Sequence, residues 1–314
     1  MTDENYTLDS SLADLNLHQW IDAVEQIVDE DGYVESLGKH HHALFFEDGQ
    51  NLIVSFETLQ GIQVLSDRAQ PLGWDLLRDA GWSSLTITSN GDTWFRDPAV
   101  YGYFDRLIDD GFFDEFDNVV FYGAGPCGYA AAAFSVASPG AKVVAIQPQA
   151  TLDPRVTEWD DRFADMRRTD FTSRYGFAPE MLDAADQAFV LYDPHETLDA
   201  MHAALFSRPN VQKFRLRCMG NAIQTDLLEM EIWSPLIEAA GEGTLNRTTF
   251  AQLYRARRDH RPYLRNLLEA LDAQERETLV EALCRNVGAR IRGRRFAVRL
   301  QQIEQSRLPA AEQG

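Results

Sequence analysis

The spacing of apolar residues along the chain alternates between helical and strand periods. Leu15, Trp20, Ile21, Val24 and Val28 recur at helical spacing and predict a helix over about 12–29, capped by Ser10 or Ser11. In ALFFEDGQNLIVSFE (43–57), two apolar runs flank Asp48-Gly49, a pattern that predicts a hairpin. A helix near 72–80, a buried strand SLTITS (84–89), a helix at 100–108 and a strand NVVFY (118–122) follow. NVVFYGAGPCGYAAAAFSVASPGAKVVAIQPQ (118–149) then reads as strand, glycine-rich turn, alanine-rich helix and strand, the unit from which parallel sheets are built. Beyond a polar stretch from Thr151 to Tyr175, read as an insertion or lid, come the strand QAFVLYDP, a helix near 198–206, the strand VQKFRLRC and helices to the end.

The pattern predicts an α/β fold with a mostly parallel sheet. It divides the chain into an N-terminal helical extension (1–38), a core (39–246) and a basic helical C-terminal extension (247–314), the last boundary marked by Pro262 and a change of charge near Arg247. Net charge is −20, yet thirteen arginines face six acidic residues between Arg247 and Leu300, leaving about −27 on the remainder. Such an acidic body repels nucleic acid and anionic membranes, so neither is an expected partner. The arginine-rich stretch, with RRDHRPYLR and RIRGRRFAVR, is expected to pack as helices on the acidic body or on a second copy, giving a homodimer, rather than to form a phosphate patch. No apolar run approaches the roughly 18 residues of a membrane span, and the acidic start MTDENYTLDS is no secretory signal, so a cytoplasmic location is expected. Cys127, Cys218 and Cys284 lie far apart with no metal-ligand spacing, which argues against a disulfide scaffold or a zinc site.

The turn Gly123-Ala124-Gly125-Pro126-Cys127-Gly128 admits two readings. It fits G-x-G-x-x-G, the dinucleotide fingerprint, in which glycines bring a pyrophosphate to a helix N-terminus; FAD or NAD would then be the cofactor of an oxidoreductase. Against this, the next strand, KVVAIQ, ends in Gln147 where an acid for the ribose is expected, and more than 100 residues precede the motif. The other reading is a nucleophile elbow, G-x-S-x-G, also a strand–turn–helix.

The wider sequence favours the elbow. FYGAGPCGYAAAAFSVASPGAKVVAIQPQATLDPRVTEWDDRF, the strand ending YDP (192–194), RCMGNA (217–222) and LYRARR (253–258) resemble a bacterial group of α/β-hydrolase-like proteins associated with polysaccharide biosynthesis. The resemblance covers about Ala43–Arg258 and implies a three-layer α/β-hydrolase-like sandwich. It also implies a degenerate triad. The serine position holds Gly125, the following N–H donor position holds Pro126, and the histidine position holds Asn221; the acid survives as Asp193, or as Asp199. Free N–H groups at Cys127 and Gly128 would leave an anion site together with Gly123 and Gly125.

Other candidates follow from position. Cys127 could act as a substitute nucleophile in a thioesterase or transferase, since a helix N-terminus lowers a thiol pKa, but a packed thiol is the plainer expectation. His195 is a candidate base. His40-His41-His42 point to alternating faces and are not expected to share a metal. Asp92, Trp94 and Arg96 follow a strand end and are candidate pocket residues; Asp153, Arg155, Trp159 and Arg162 are candidate lid residues. A sulfonucleotide reductase is disfavoured because neither its pyrophosphate loop nor a C-terminal catalytic cysteine is present. The expectation is a protein without hydrolase chemistry or cofactor that binds a small anionic or sugar-related ligand, or a protein partner.

Overall fold

The computed structural model describes residues 6–307. Its framework is one eight-stranded sheet: β1 (Gly32–Leu37), β2 (His41–Phe46), β3 (Asn51–Thr58), β4 (Ser83–Ser89), β5 (Asn118–Ala124), β6 (Lys142–Ile146), β7 (Gln187–Tyr192) and β8 (Val211–Arg215). Their order is β1-β2-β4-β3-β5-β6-β7-β8. β2 runs antiparallel to both β1 and β4, and every other neighbouring pair is parallel. Successive side chains of a strand point to opposite faces, so the central strands feed two cores. Val119 and Phe121 of β5 enter one core, with the helix at Pro98–Asp109 and the one at Pro126–Phe134. Val120 and Tyr122 enter the other, with the helices Ile223–Glu229, Trp233–Gly241 and Arg247–Leu253. The central strands are therefore covered on both faces; all seven residues of β4 are buried, its serines and threonines included.

The N-terminal helix is shorter than its periodicity suggests, spanning Leu17–Val28. The Asn16 side chain caps it and Gln19 reaches back to the Asn16 N–H, a reciprocal pair that Ser10 and Ser11 cannot match because residues 12–16 are held outside the helix by the Leu12 N–H bonding Arg68 O. The Asp48-Gly49 hairpin does not form. β2 and β3 are separated by β4, and the connecting loop is tied to β4 by the Ser83 hydroxyl, which accepts from Asp48 N–H and donates to Gly49 O. The hairpin of the sheet is instead β1–β2, turning through Gly38 at φ 73°. β1 thus belongs to the sheet, not to a helical extension ahead of it. At the other end, Phe250 and Tyr254 pack into the sheet core, so the C-terminal change of character falls near His260 rather than Arg247. The helices Arg261–Ala273, Glu277–Arg290 and Arg294–Ser306 then build a small core of their own around Leu264, Val280 and Phe296. Several of their arginines pair with carboxylates of the same helical unit, Arg285 with Glu281, Arg295 with Glu269, Arg299 with Asp272 and Arg307 with Glu277, and Arg290 pairs with Asp259 just before it.

The bend from β5 into the helix at Pro126 is made by three glycines with different duties. Gly125 holds φ 57°, ψ −124°, a conformation glycine adopts without steric cost. A Cβ on Gly123 would stand 2.2 Å from Cys127 O, and one on Gly128 would stand 3.1 Å from the carbonyls of Gly123 and Ile146. Around Gly125 there is open space. Gly125→Ala is therefore expected to lower stability by about 1–2 kcal/mol from backbone strain alone. Gly123→Ala, which must displace main chain, is expected to cost clearly more, and chemical denaturation of both variants checks the order.

Candidate ligand cleft

Above this bend lies a cleft of about 520 Å³ whose floor is Ala124, Gly125 and Pro126. Gln147 and Gln149 enter it from the end of β6, and Asn221, Gln224 and Thr225 from the segment after β8. Gln60 and Val64 form a rim from the helix after β3. Arg162 and Phe163 hang over it from the 151–175 segment, and Asp199 joins from the first turn of the helix Thr197–Leu205. The lining contains no serine, cysteine or histidine.

One side of the cleft is a continuous polar chain. Asp199 accepts a hydrogen bond from Gln147 Nε2 at 2.7 Å and one from Arg162 Nη1 at 2.7 Å. Arg162 also donates through Nε and Nη2 to Asp160, the latter bond 2.8 Å long. Asp160 in turn accepts from His202 Nε2 at 2.9 Å, while His202 Nδ1 accepts the Ala150 N–H at 3.1 Å. Because Nδ1 is an acceptor, the neutral imidazole carries its proton on Nε2. Burial lowers the His202 pKa, against the pull of Asp160. Burial by itself would raise Asp160, but the hydrogen bonds from Arg162 and His202 prevail and hold it below the usual carboxylate range. Arg162 thus stands between two carboxylates, and its charge is spent inside the protein rather than offered to the cleft. Gln147 reaches its position with φ 47°, rare for a residue with a side chain, and is held there by its N–H bonding Leu191 O at 2.8 Å.

Of the site residues the sequence suggested, Gly125, Pro126, Asn221, Asp199 and Arg162 meet in this cleft and the others do not. Gly123 and Gly128 serve close packing. Cys127 is buried, and its thiol is pushed far up, by burial first and then by the charges of Glu57 and Asp92, the opposite of an activated thiolate. Asp193 accepts the N–H groups of His195 at 2.9 Å and Gly220 at 2.8 Å, so the surviving acid ties the loop after β7 to the one carrying Asn221. His195 faces Asp193 at 3.0 Å but lines a separate hollow with Cys218 and Glu269. Asp92 is exposed, and Trp94 is buried against Tyr129, Phe163 and Phe171, supporting Phe163 from behind. Arg96 pins the 151–175 segment by donating to Asp170 O at 2.9 Å and to Arg174 O at 2.5 Å. Asp153 and Arg155 pair with each other, and Trp159 packs on His202. His41 bonds Thr93 Oγ1 at 2.7 Å while His42 points to the other face, so the three histidines form no common site. Among the described residues one trio, Asp226, Glu229 and His260, brings metal-ligating atoms within 4.8 Å of one another; none of the three lines the cleft.

The strand order with a single reversed strand, the sharp bend after β5 and the three-layer packing make this an α/β-hydrolase-like fold. No protein-family model matches the chain, and no curated protein matches it in sequence. Among solved structures it is similar to carboxyl esterase 2 of the mycorrhizal fungus Tuber melanosporum, with 15% identity over 68% of this chain and 86% of that one and a TM-score of 0.43. It is also similar to the capsule O-acetyltransferase of Neisseria meningitidis serogroup A, with 13% identity over 65% and 93% of the two chains and a TM-score of 0.38. Est1E from Butyrivibrio proteoclasticus shows 12% identity over 67% and 98%, with a TM-score of 0.40.

Behind the bend, at the end of β3, sits Glu57, which accepts from Ser55 Oγ at 2.8 Å and from the Leu72 N–H at 3.1 Å. Burial pushes its pKa up to about 7. A raised folded-state pKa stabilises below the unfolded value of about 4.5 and is lost as pH climbs through 7. Glu57→Gln is expected to flatten the fall in thermal midpoint between about pH 5 and 8 that this carboxyl imposes. An unchanged pH profile in the variant would show that Glu57 does not titrate in this range.

Proposed function

We propose that this chain is a non-hydrolytic binding protein on an α/β-hydrolase frame, and that its cleft takes a small, neutral, polyhydroxylated ligand of sugar type. The observation behind this reading is glycine at the apex of the bend, in a cleft lined by neither serine, cysteine nor histidine. An acyl transfer needs a nucleophile and a base at that point, and an N–H to receive the developing oxyanion. Pro126 has no N–H to offer.

The lining supports the ligand class. Planar amides of Gln60, Gln147, Gln149, Asn221 and Gln224 both donate and accept, as ring hydroxyls require, and Phe163 supplies an apolar face. An anion is less well served, because Arg162 is already neutralised by Asp160 and Asp199.

The test is saturation-transfer NMR with a panel of neutral mono- and disaccharides, repeated with Asp199→Ala. Binding that weakens about tenfold or more in a variant that stays folded supports the proposal. Gly125→Ser is expected to yield no nitrophenyl-ester turnover, because Asn221 cannot act as a base near neutral pH. Ester hydrolysis by the unmodified protein that disappears on mutating the cleft would overturn the reading, as would a thermal shift with FAD or NAD in the absence of any sugar response.

A further inference from the structure

A second concavity, of about 1120 Å³, runs along β8, the last strand of the sheet. All five residues of β8 line it. Since neighbouring side chains of a strand point to opposite faces, a hollow touched by every one of them follows the strand's edge rather than either face. Among the described residues, no backbone hydrogen bond links residues 212–215 to a loop or helix, and no strand lies beyond them.

The walls are cationic. Lys213 and Arg215 come from the strand, Arg208 from the turn before it, and Arg247, Arg255, Arg257 and Arg258 from the helical segment packed alongside. No carboxylate lines the groove, although the chain as a whole has a net charge of −20. Arg215, Arg247, Arg255 and Arg258 are exposed, and none makes an ion pair among the described residues. In the helices that follow, Arg285, Arg290, Arg295, Arg299 and Arg307 are paired with neighbouring acids, whereas no carboxylate among the described residues reaches these four. Like charges are crowded here: the Lys213 ammonium is held below its ordinary pKa, by burial first and by Arg215 second.

Cations on an edge strand can simply guard against sheet-to-sheet association. Guarding, however, needs charges on the strand alone, whereas four of these arginines come from residues 247–258, across the groove. A second copy of the chain docked edge to edge would set arginine against arginine. A long nucleic acid would extend past the groove over the acidic body. An extended acidic segment meets both features, because its main chain completes the open edge and its carboxylates meet the arginines.

We propose that the groove along β8 is a docking site for an acidic peptide segment of a partner protein, which adds a strand to the sheet. This surface is distinct from the cleft at Gly125, and the inference does not depend on what that cleft binds.

The experiment is fluorescence polarisation at low salt on the full chain, using a labelled peptide of alternating Glu and Val. Binding is expected, to weaken at least about tenfold in the double variant Arg255→Glu, Arg258→Glu, and to fade as salt is raised. Both side chains are exposed, so the thermal midpoint should not move; Arg215→Gln with Arg247→Gln provides a second, milder pair. The peptide N-methylated on its Glu residues and, separately, on its Val residues is expected to lose binding in one of the two, since an added strand turns every second N–H toward the sheet. Retained binding by both methylated peptides would overturn strand addition. No peptide binding at all, or tighter, arginine-dependent binding of polyphosphate or single-stranded DNA, would overturn the proposal as a whole.

Discussion

The fold turns on a main-chain contact: the approach of the helix at Pro126 to the end of β5. Gly123 and Gly128 leave no room for a side chain, and this brings the helix start directly against the strand ends. The helix that follows is alanine-rich, with Ala130–Ala133 fully buried, so it can sink onto the centre of the sheet. From that seat it sets the floor of the cleft and the height at which the 151–175 segment passes over it. Tyr129, on the same helix, carries this outward by donating to Tyr175 O at 2.7 Å and meeting Arg96.

The bend has the strand–turn–helix form of an elbow, with glycine at its apex. A catalytic elbow holds a side chain in strained torsions and offsets that strain elsewhere; glycine at φ 57° removes the strain altogether. In the cleft, polar groups are knitted to one another. Asp199 holds Gln147 and Arg162, Asp160 holds Arg162 and His202, and Asp193 fixes the loop bearing Asn221. Such a lining is rigid and already hydrogen-bonded, a property suited to recognition by shape and by the free faces of its amides.

What could be read from the sequence depended on range. The βαβ unit at 118–149 was legible because its strands are continuous apolar runs bounded by turn residues, and the strand 84–89 because Leu85 and Ile87 alternate with strand-favouring threonines. β1 was missed because Tyr33, Val34 and Glu35 are half-buried edge residues with a weak pattern, and the Asp48-Gly49 signal misled because a turn dipeptide says nothing about which strand lies beside which. Gly125, Arg162 and Asn221 were within reach as local motif or lid positions. Gln60, Gln149 and Gln224 were not: they are ordinary amides in separate segments, brought together by the crossover of β3 and β4 and by the loops after β6 and β8. The arginine-rich tail likewise had one composition and two settings, helices with several internal ion pairs after His260 and a row without ion pairs along a groove at 247–258, which only packing distinguishes.

The sheet ends differently on its two sides. β1 closes one margin as the outer arm of a hairpin whose side chains rest on the first helix, whereas β8 stops with its outer amides free beside a bank of arginines in an otherwise negative molecule. That asymmetry concentrates positive potential along one rim. Its pull on a negatively charged body is local, set against the repulsion of a net charge of −20, and reaches no further than the ionic atmosphere allows.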